Sequence, residues 1–186
     1  MTGESIEIIH LPGPELPPHL LAQVDAIFYE TAPLAPETRP EREAFRERWL
    51  GRYLAGGGDV VLLAVTAEGT VAGYLVGALQ NPALQERFAD ISYFRTHFAD
   101  LCRRFPAHLH INLSERWRSR GIGARLVDAF AEVAGRAGAP GMHIVTGRGM
   151  RNVRFYERCG FREVGAVERN GGASVFLARE LDPGPS

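Results

Sequence analysis

The chain has 186 residues, 45% of them hydrophobic and 23% charged, with a formal net charge of -1. A chain of this length buries a sizeable core in one domain, and no apolar run approaches the roughly 20 residues that span a bilayer. Met1-Thr2-Gly3-Glu4-Ser5 is acidic and lacks a signal-peptide pattern, so a cytoplasmic protein without a membrane partner is expected. Cys102 and Cys159 show neither metal nor redox spacing, so reduced thiols and no metal site are expected.

The near-neutral total hides an asymmetry. Residues 1–100 carry 7 Arg against 14 acidic residues, residues 101–162 carry 12 against 4, and residues 163–186 carry 2 against 4. A basic middle in a near-neutral chain points to a local anionic ligand. Nucleic acid asks for a broader basic face with aromatic or helical readers, and no such motif is present, so it is excluded as a partner. All 21 basic residues are Arg. Phosphates must therefore be held by Arg and by backbone N–H groups.

Ser5–Ile9 reads as a short first strand, followed by a Pro-rich loop over Leu11–Pro18. Pro17-Pro18 opens a helix on which Leu20, Leu21, Val24, Ile27 and Phe28 recur at helical spacing. A second helix is expected across Pro40–Leu54, stopped by Gly56-Gly57-Gly58. Val60–Val65 and Val71–Leu79 are apolar, β-branched runs joined by Ala67-Glu68-Gly69-Thr70, the pattern of an antiparallel hairpin. Gln80–Cys102 holds Phe88, Tyr93, Phe94 and Phe98 without clean periodicity; it is read as partly helical, a lid over a substrate site. Ala107–Leu113 alternates, with His108, His110 and Asn112 on one face and Leu109, Ile111 and Leu113 on the other, as a strand does.

Ile122, Leu126, Phe130, Val133 and Ala137 then mark an amphipathic helix that ends at Gly138–Gly141. Met142–Thr146 is read as a strand, Met150–Cys159 as a helix, Phe161–Val167 as a strand, Asn170-Gly171-Gly172 as a turn and Ser174–Ala178 as the last strand. Asp182–Ser186 is read as a frayed tail. The expected fold class is α/β (α+β): one domain over residues 1–186, core 5–180, around a single sheet of about seven strands flanked by helices.

The strand ending at Leu113 and the helix starting near Gly121 frame Arg118-Ser119-Arg120-Gly121-Ile122-Gly123-Ala124. Helix N-termini carry unpaired N–H groups and partial positive charge, so they bind anions. Gly121 and Gly123 remove Cβ atoms where a phosphate would approach, and Arg118 and Arg120 add charge. A curved set of N–H donors suits a pyrophosphate. A dinucleotide-binding fingerprint wants a third Gly where Leu126 stands, and a P-loop wants a Lys that this chain lacks. A tight strand-to-helix turn without a ligand is the other reading of these residues taken alone.

The wider segment Leu113-Ser114-Glu115-Arg116-Trp117-Arg118-Ser119-Arg120-Gly121-Ile122-Gly123-Ala124-Arg125-Leu126 resembles the acyl-CoA loop of the GNAT N-acetyltransferase superfamily. Its central pattern, Arg/Gln-x-x-Gly-x-Gly/Ala, is met by Arg118, Gly121 and Gly123. Asn152-Val153-Arg154-Phe155-Tyr156-Glu157-Arg158-Cys159-Gly160-Phe161 is similar to the aromatic-Tyr-Glu-x-x-Gly-Phe block of the same superfamily. Phe105-Pro106-Ala107-His108-Leu109-His110-Ile111 is also similar to acetyltransferase-like domains related to those attached to O-GlcNAc hydrolases, some of which have lost activity.

The resemblance implies a mostly antiparallel mixed sheet splayed between strands four and five, with acetyl-CoA as acyl donor. It implies that Leu113 pairs through its backbone with the pantetheine arm and that Arg118, Ser119, Arg120, Gly121, Ile122, Gly123 and Ala124 hold the pyrophosphate. Arg125, one turn in, faces either the phosphates or solvent. Tyr156 matches the position that protonates the leaving thiolate. His108 and His110, on the strand that often supplies the base, are candidates for base or proton relay, against the reading that both are buried and structural. Asn112 shares their face. The superfamily often has Asn seven residues before the tyrosine; here that is Gly149, and Asn152 is the candidate substitute.

The implied function is acetyl transfer by direct attack of a small-molecule or peptide amine, with a homodimer among the expectations. The alternative is a non-catalytic acyl-CoA-binding or interaction domain.

Overall fold

Two apolar runs without a polar alternate face build the middle of the molecule. β2 (Val60–Thr66) and β3 (Val71–Ala78) are buried at nearly every position, as strands covered on both faces are. They pair antiparallel, Val60 with Gly77 through Val65 with Val71, and a register shift falls between Ala64 and Val65. β1 (Ile6–Leu11) adds antiparallel to β2, and lies slightly later in the chain than the strand expected over Ser5–Ile9.

The sheet has seven strands in the order β1-β2-β3-β4-β5-β7-β6, with β4 at Ala107–Leu113, β5 at Gly141–Gly147, β6 at Arg162–Arg169 and β7 at Gly172–Glu180. β4 and β5 run parallel, paired at Ala107–Met142 and His108–His143. A parallel pair needs a crossover, which here carries a helix. β5 with β7 and β6 with β7 are antiparallel, so the sheet is mixed and open. This computed structural model describes residues 5–32, 36–169 and 171–182. The expected turn therefore has Asn170 outside the described residues, and the expected tail has residues 183–186 outside them.

The chain packs into two compact units, residues 1–77 with 110–130, and residues 78–109 with 131–186. In the first, α1 (Pro18–Thr31) buries Leu20, Val24, Ile27 and Phe28, the stripe its sequence shows. The second expected helix is not continuous. α2 (Arg39–Arg46) runs into a π-helical turn at Glu47–Gly51, where the Arg52 N–H reaches back five residues to the Glu47 carbonyl, and then into α3 (Arg52–Leu54). The same unit holds the start of α6 (Ile122–Arg136), with Ile122, Leu126, Val127 and Phe130 buried.

The second unit holds the segment that lacked periodicity. It consists of short turns at Pro82–Leu84 and Glu86–Phe88, then α4 (Tyr93–Thr96) and α5 (Ala99–Arg104). Each piece is too short to show a helical stripe, yet Phe88, Phe94, Phe98 and Cys102 are all buried. Arg95 ties the segment together through the carbonyls of Ala83 and Gln85. α7 (Arg151–Arg158) follows β5. Among the described residues no helix is long and apolar enough to cross a membrane.

Gly73 sets a close approach in the first unit. A Cβ there would lie 2.8 Å from both the Asn112 carbonyl oxygen and Leu113 Cγ. Gly73→Ala is expected to cost about 1–3 kcal/mol, the usual range for overpacking, because backbone rather than a flexible side chain must yield. The midpoint and slope of urea unfolding check this.

Candidate active site

β4 ends at Leu113, and after eight intervening residues α6 begins at Ile122. Between them the Ser114 N–H bonds the Ala72 carbonyl at 3.1 Å, and Glu115–Trp117 form one 3₁₀ turn that buries the Trp117 indole. Two residues adopt left-handed backbone: Ser119 at φ 62° and Gly121 at φ 77°. A Cβ on Gly121 would meet nothing within 4 Å, so glycine is required there by backbone conformation and not by space. The first α-helical bond runs from the Arg125 N–H to the Gly121 carbonyl, so by helix geometry the N–H groups of Ile122, Gly123 and Ala124 lie ahead of the ladder.

The charges around this helix start are unevenly used. Arg118, Ser119, Arg120 and Gly121 are exposed. Arg118 Nε donates to the Leu113 carbonyl at 3.2 Å, tying the loop to the strand end. The guanidinium groups of Arg116 and Arg120 lie 4.8 and 5.1 Å from the Trp117 ring centre, so the buried indole holds two cations near the turn. Arg125 is exposed, the solvent-facing of its two expected placements, and its Nη2 donates to the Ile6 carbonyl at 2.8 Å, tying α6 to β1. Glu30, at the end of α1, accepts from the Glu115 N–H at 2.7 Å. Nothing in the sequence marks Glu30 for this task, because the contact spans 85 residues.

The two histidines of β4 part ways, although strand alternation puts them on one face. His108 is 2% exposed and sits in the second unit among rings: Phe88 and Phe94 at 4.8 and 5.5 Å, and His143 stacked at 5.5 Å. His143 stacks in turn on Phe176 at 4.3 Å and bonds the Phe105 carbonyl through Nδ1. His110 is half-buried in the first unit, because β4 passes from buried to half-buried positions at that residue. Its Nε2 lies 3.1 Å from the Tyr53 hydroxyl, and Trp49 and Tyr53 meet its ring edge to face at 5.4 and 5.3 Å. Burial, with the Arg52 guanidinium nearby, pushes the His110 pKa down to about 4. Asn112 donates to the buried Tyr74 hydroxyl at 2.8 Å. Trp49 and Tyr53 were not among the residues singled out from sequence, though their i, i+4 spacing was a usable signal.

In the second unit Tyr156 is buried against Phe155 and Phe161, at 5.1 and 5.3 Å between ring centres. Burial, and secondarily Cys159, raises the phenol pKa above its ordinary value, so it remains protonated. Asn152 exchanges a 3.1 Å hydrogen bond with Thr146 at the end of β5. Gly149 has φ 79°, a conformation an asparagine there would adopt only with some strain. Cys102 and Cys159 are free, and burial pushes the Cys102 thiol up to about 12. Among the described residues no group of three or more His, Cys, Asp or Glu is placed to hold a metal ion.

A seven-stranded open sheet with a parallel β4–β5 pair, between whose strands a basic, glycine-bearing passage leads into α6, is a GNAT-like fold. The chain belongs to the acetyltransferase (GNAT) family, whose model matches residues 22–161. It is similar in structure to a GCN5-related N-acetyltransferase from Kribbella flavida, at 18% identity and TM-score 0.65 over 95% of this chain and 98% of that one. The IAA acetyltransferase of Bacillus cereus is similar at 20% identity and TM-score 0.54, over 95% and 100% of the two chains. A Bacillus anthracis protein described as a streptothricin acetyltransferase, in complex with acetyl coenzyme A, is similar at 16% identity and TM-score 0.53, over 71% and 68%.

The depressed His110 pKa has a signed consequence for stability. The unfolded chain takes up a proton near pH 6.5, whereas the folded imidazole resists it down to about 4. The stability that the neutral ring contributes is complete above about pH 6.5 and is lost as pH falls toward 4. His110→Gln is therefore expected to flatten the dependence of the urea midpoint on pH across that window, relative to the parent chain.

Proposed function

We propose that this chain is an N-acetyltransferase that moves the acetyl group of acetyl-CoA to a small-molecule or peptide amine by direct attack, acting as one catalytic domain in the cytoplasm. One observation carries the reading: two left-handed residues, Ser119 and Gly121, lead into a helix start whose N–H groups precede the ladder, with Arg118 and Arg120 exposed beside it. Such an end binds a pyrophosphate through backbone donors and fixed charge. Family membership and the acetyl coenzyme A bound by the Bacillus anthracis relative support the choice of donor.

In the proposed reaction the amine nitrogen attacks the thioester carbonyl, the C–N bond forms and the C–S bond breaks. Leu113, at the end of β4, offers backbone to the pantetheine arm, and Asn152 serves in place of the asparagine absent at Gly149. Tyr156 gives its phenolic proton to the departing thiolate and recovers one from solvent. The ammonium form of the acceptor must first lose a proton. His110 is assigned to that step as a relay, because it is the half-buried one of the two β4 histidines and an imidazole can both take up and pass on a proton, although its lowered pKa makes it a weaker base than a free imidazole. His108 is left in a supporting role, since its ring is buried among Phe88, Phe94 and His143.

Tyr156→Phe is expected to lower kcat by about 100-fold with little change in the KM for acetyl-CoA, as loss of a general acid does. Full turnover by this variant in a thiol-release assay would remove Tyr156 from the mechanism. Arg118→Ala combined with Arg120→Ala is expected to raise the KM for acetyl-CoA roughly tenfold while kcat is largely kept, the pattern of lost uniform binding. Tight coenzyme A binding by calorimetry, with no amine-dependent thiol release over a broad amine panel, would instead establish a non-catalytic acyl-CoA-binding domain.

A further inference from the structure

α1 ends on a carboxylate that does nothing for its own helix. Glu30 stands in the last turn, where partial negative charge favours a basic residue, and none is present there. The Thr31 hydroxyl serves that helix end, donating to the carbonyls of Ile27 and Phe28 at 2.9 and 3.1 Å. The partners of Glu30 lie 84 and 85 residues away: its Oε1 accepts from the Ser114 hydroxyl at 3.4 Å and from the Glu115 N–H at 2.7 Å. Glu115 opens the 3₁₀ turn Glu115–Trp117, and Ser114, in the N-cap position, makes no side-chain cap of its own. Glu30 therefore caps that turn from another element of the fold.

The capped turn is the one from which the passage into α6 departs. The Trp117 N–H bonds the Ser114 carbonyl at 2.9 Å, and the Arg118 N–H bonds the Glu115 carbonyl at 3.2 Å. Left-handed Ser119 and Gly121 follow directly. The carboxylate thus stands one short turn from Arg118, and charges so close are not fully screened at ordinary salt. We propose that Glu30 is a positioning residue of the donor site with two opposed effects. Its hydrogen bond fixes the turn and so aims the N–H groups of Ile122, Gly123 and Ala124. Its charge repels the phosphates, which restrains the affinity for acetyl-CoA and for the coenzyme A that remains after transfer. This rests on reading the passage as a pyrophosphate site; it adds what sets the strength of that site. Coenzyme A leaves with every phosphate the donor brought, so a site of restrained affinity releases its product sooner.

Two substitutions part the two effects. Glu30→Gln keeps an Oε1 that accepts both hydrogen bonds and removes the charge. Glu30→Ala removes both. A brace that served only the fold would gain nothing from Gln, whereas here Gln should bind the donor more tightly than the native carboxylate does.

Calorimetry with coenzyme A on the full chain, at about 0.02 and about 0.5 M salt, tests this. Glu30→Gln should lower the Kd roughly threefold at the lower salt and show little gain at the higher, where the Debye length falls to a few ångströms. Glu30→Ala should bind roughly fivefold more weakly than Glu30→Gln at both salts, because the turn has lost its cap. Hydrogen exchange supplies a readout that needs no ligand: the Glu115 amide should exchange faster in Glu30→Ala and at the parent rate in Glu30→Gln. A Gln variant that binds no tighter than the parent at low salt, equal affinities for the two variants, or a Glu115 amide indifferent to Glu30→Ala each overturns the proposal. A parent chain whose Glu115 amide responds as expected but that binds no coenzyme A would sink the donor-site reading, and this inference with it.

Discussion

The chain must turn from an extended strand ending at Leu113 into a helix starting at Ile122, and the only route it takes passes twice through left-handed backbone. Gly121 tolerates that region freely, whereas Ser119 does so at a cost on the order of 1–2 kcal/mol. Such strain persists only where the surroundings over-determine it. Here they do: the Trp117 indole is buried, the Ser114 N–H is held by Ala72, the Glu115 N–H by Glu30, and Arg118 reaches back to Leu113. Anchors from β3, α1 and β4 thus fix where the helix begins. They fix in the same way where its leading N–H groups stand.

That passage was legible in the sequence because its chemistry is local. A strand-ending, Gly-bearing stretch and the apolar spacing that follows fall within a few consecutive residues, although the left-handed Ser119 carries no such mark. The strands were legible for a related reason, since unbroken apolar runs such as Val71–Ala78 have few alternatives. The histidines were not. Alternation along β4 places His108 and His110 on one face, which is true of the backbone, but the environment of that face changes along the strand. Which residues stack on His108 is decided by Phe88, Phe94 and His143, all distant in sequence. No local pattern could have separated the two.

The break between α2 and α3 was hidden for a different reason. A π-helical turn inserts one residue into the hydrogen-bond pattern, yet it keeps helical propensity and needs neither Pro nor Gly. Gly51 lies at its end and is itself compatible with an uninterrupted helix. Trp49 and Tyr53 read as ordinary apolar positions of an amphipathic segment. Their common partner, His110, lies 57 residues beyond Tyr53, so their shared role appears only when the fold brings β4 to them.

The basic middle of the chain also means less than its charge suggests. Much of that excess is spent away from the loop: Arg136 pairs with Glu132, Arg148 with Glu163 and Glu168, and Arg162 with Glu180. Exposed pairs of this kind stabilise little, about 0–1 kcal/mol each, but they neutralise field. Arg125 spends its guanidinium on the Ile6 carbonyl. What remains at the helix start is Arg116, Arg118 and Arg120, with the Glu30 carboxylate close by. In the proposed binding mode, so few cations beside an acid would not hold a pyrophosphate by charge alone. Main-chain N–H groups would supply most of the attraction, which makes the left-handed residues that aim them matter more to the proposal than the number of arginines around them.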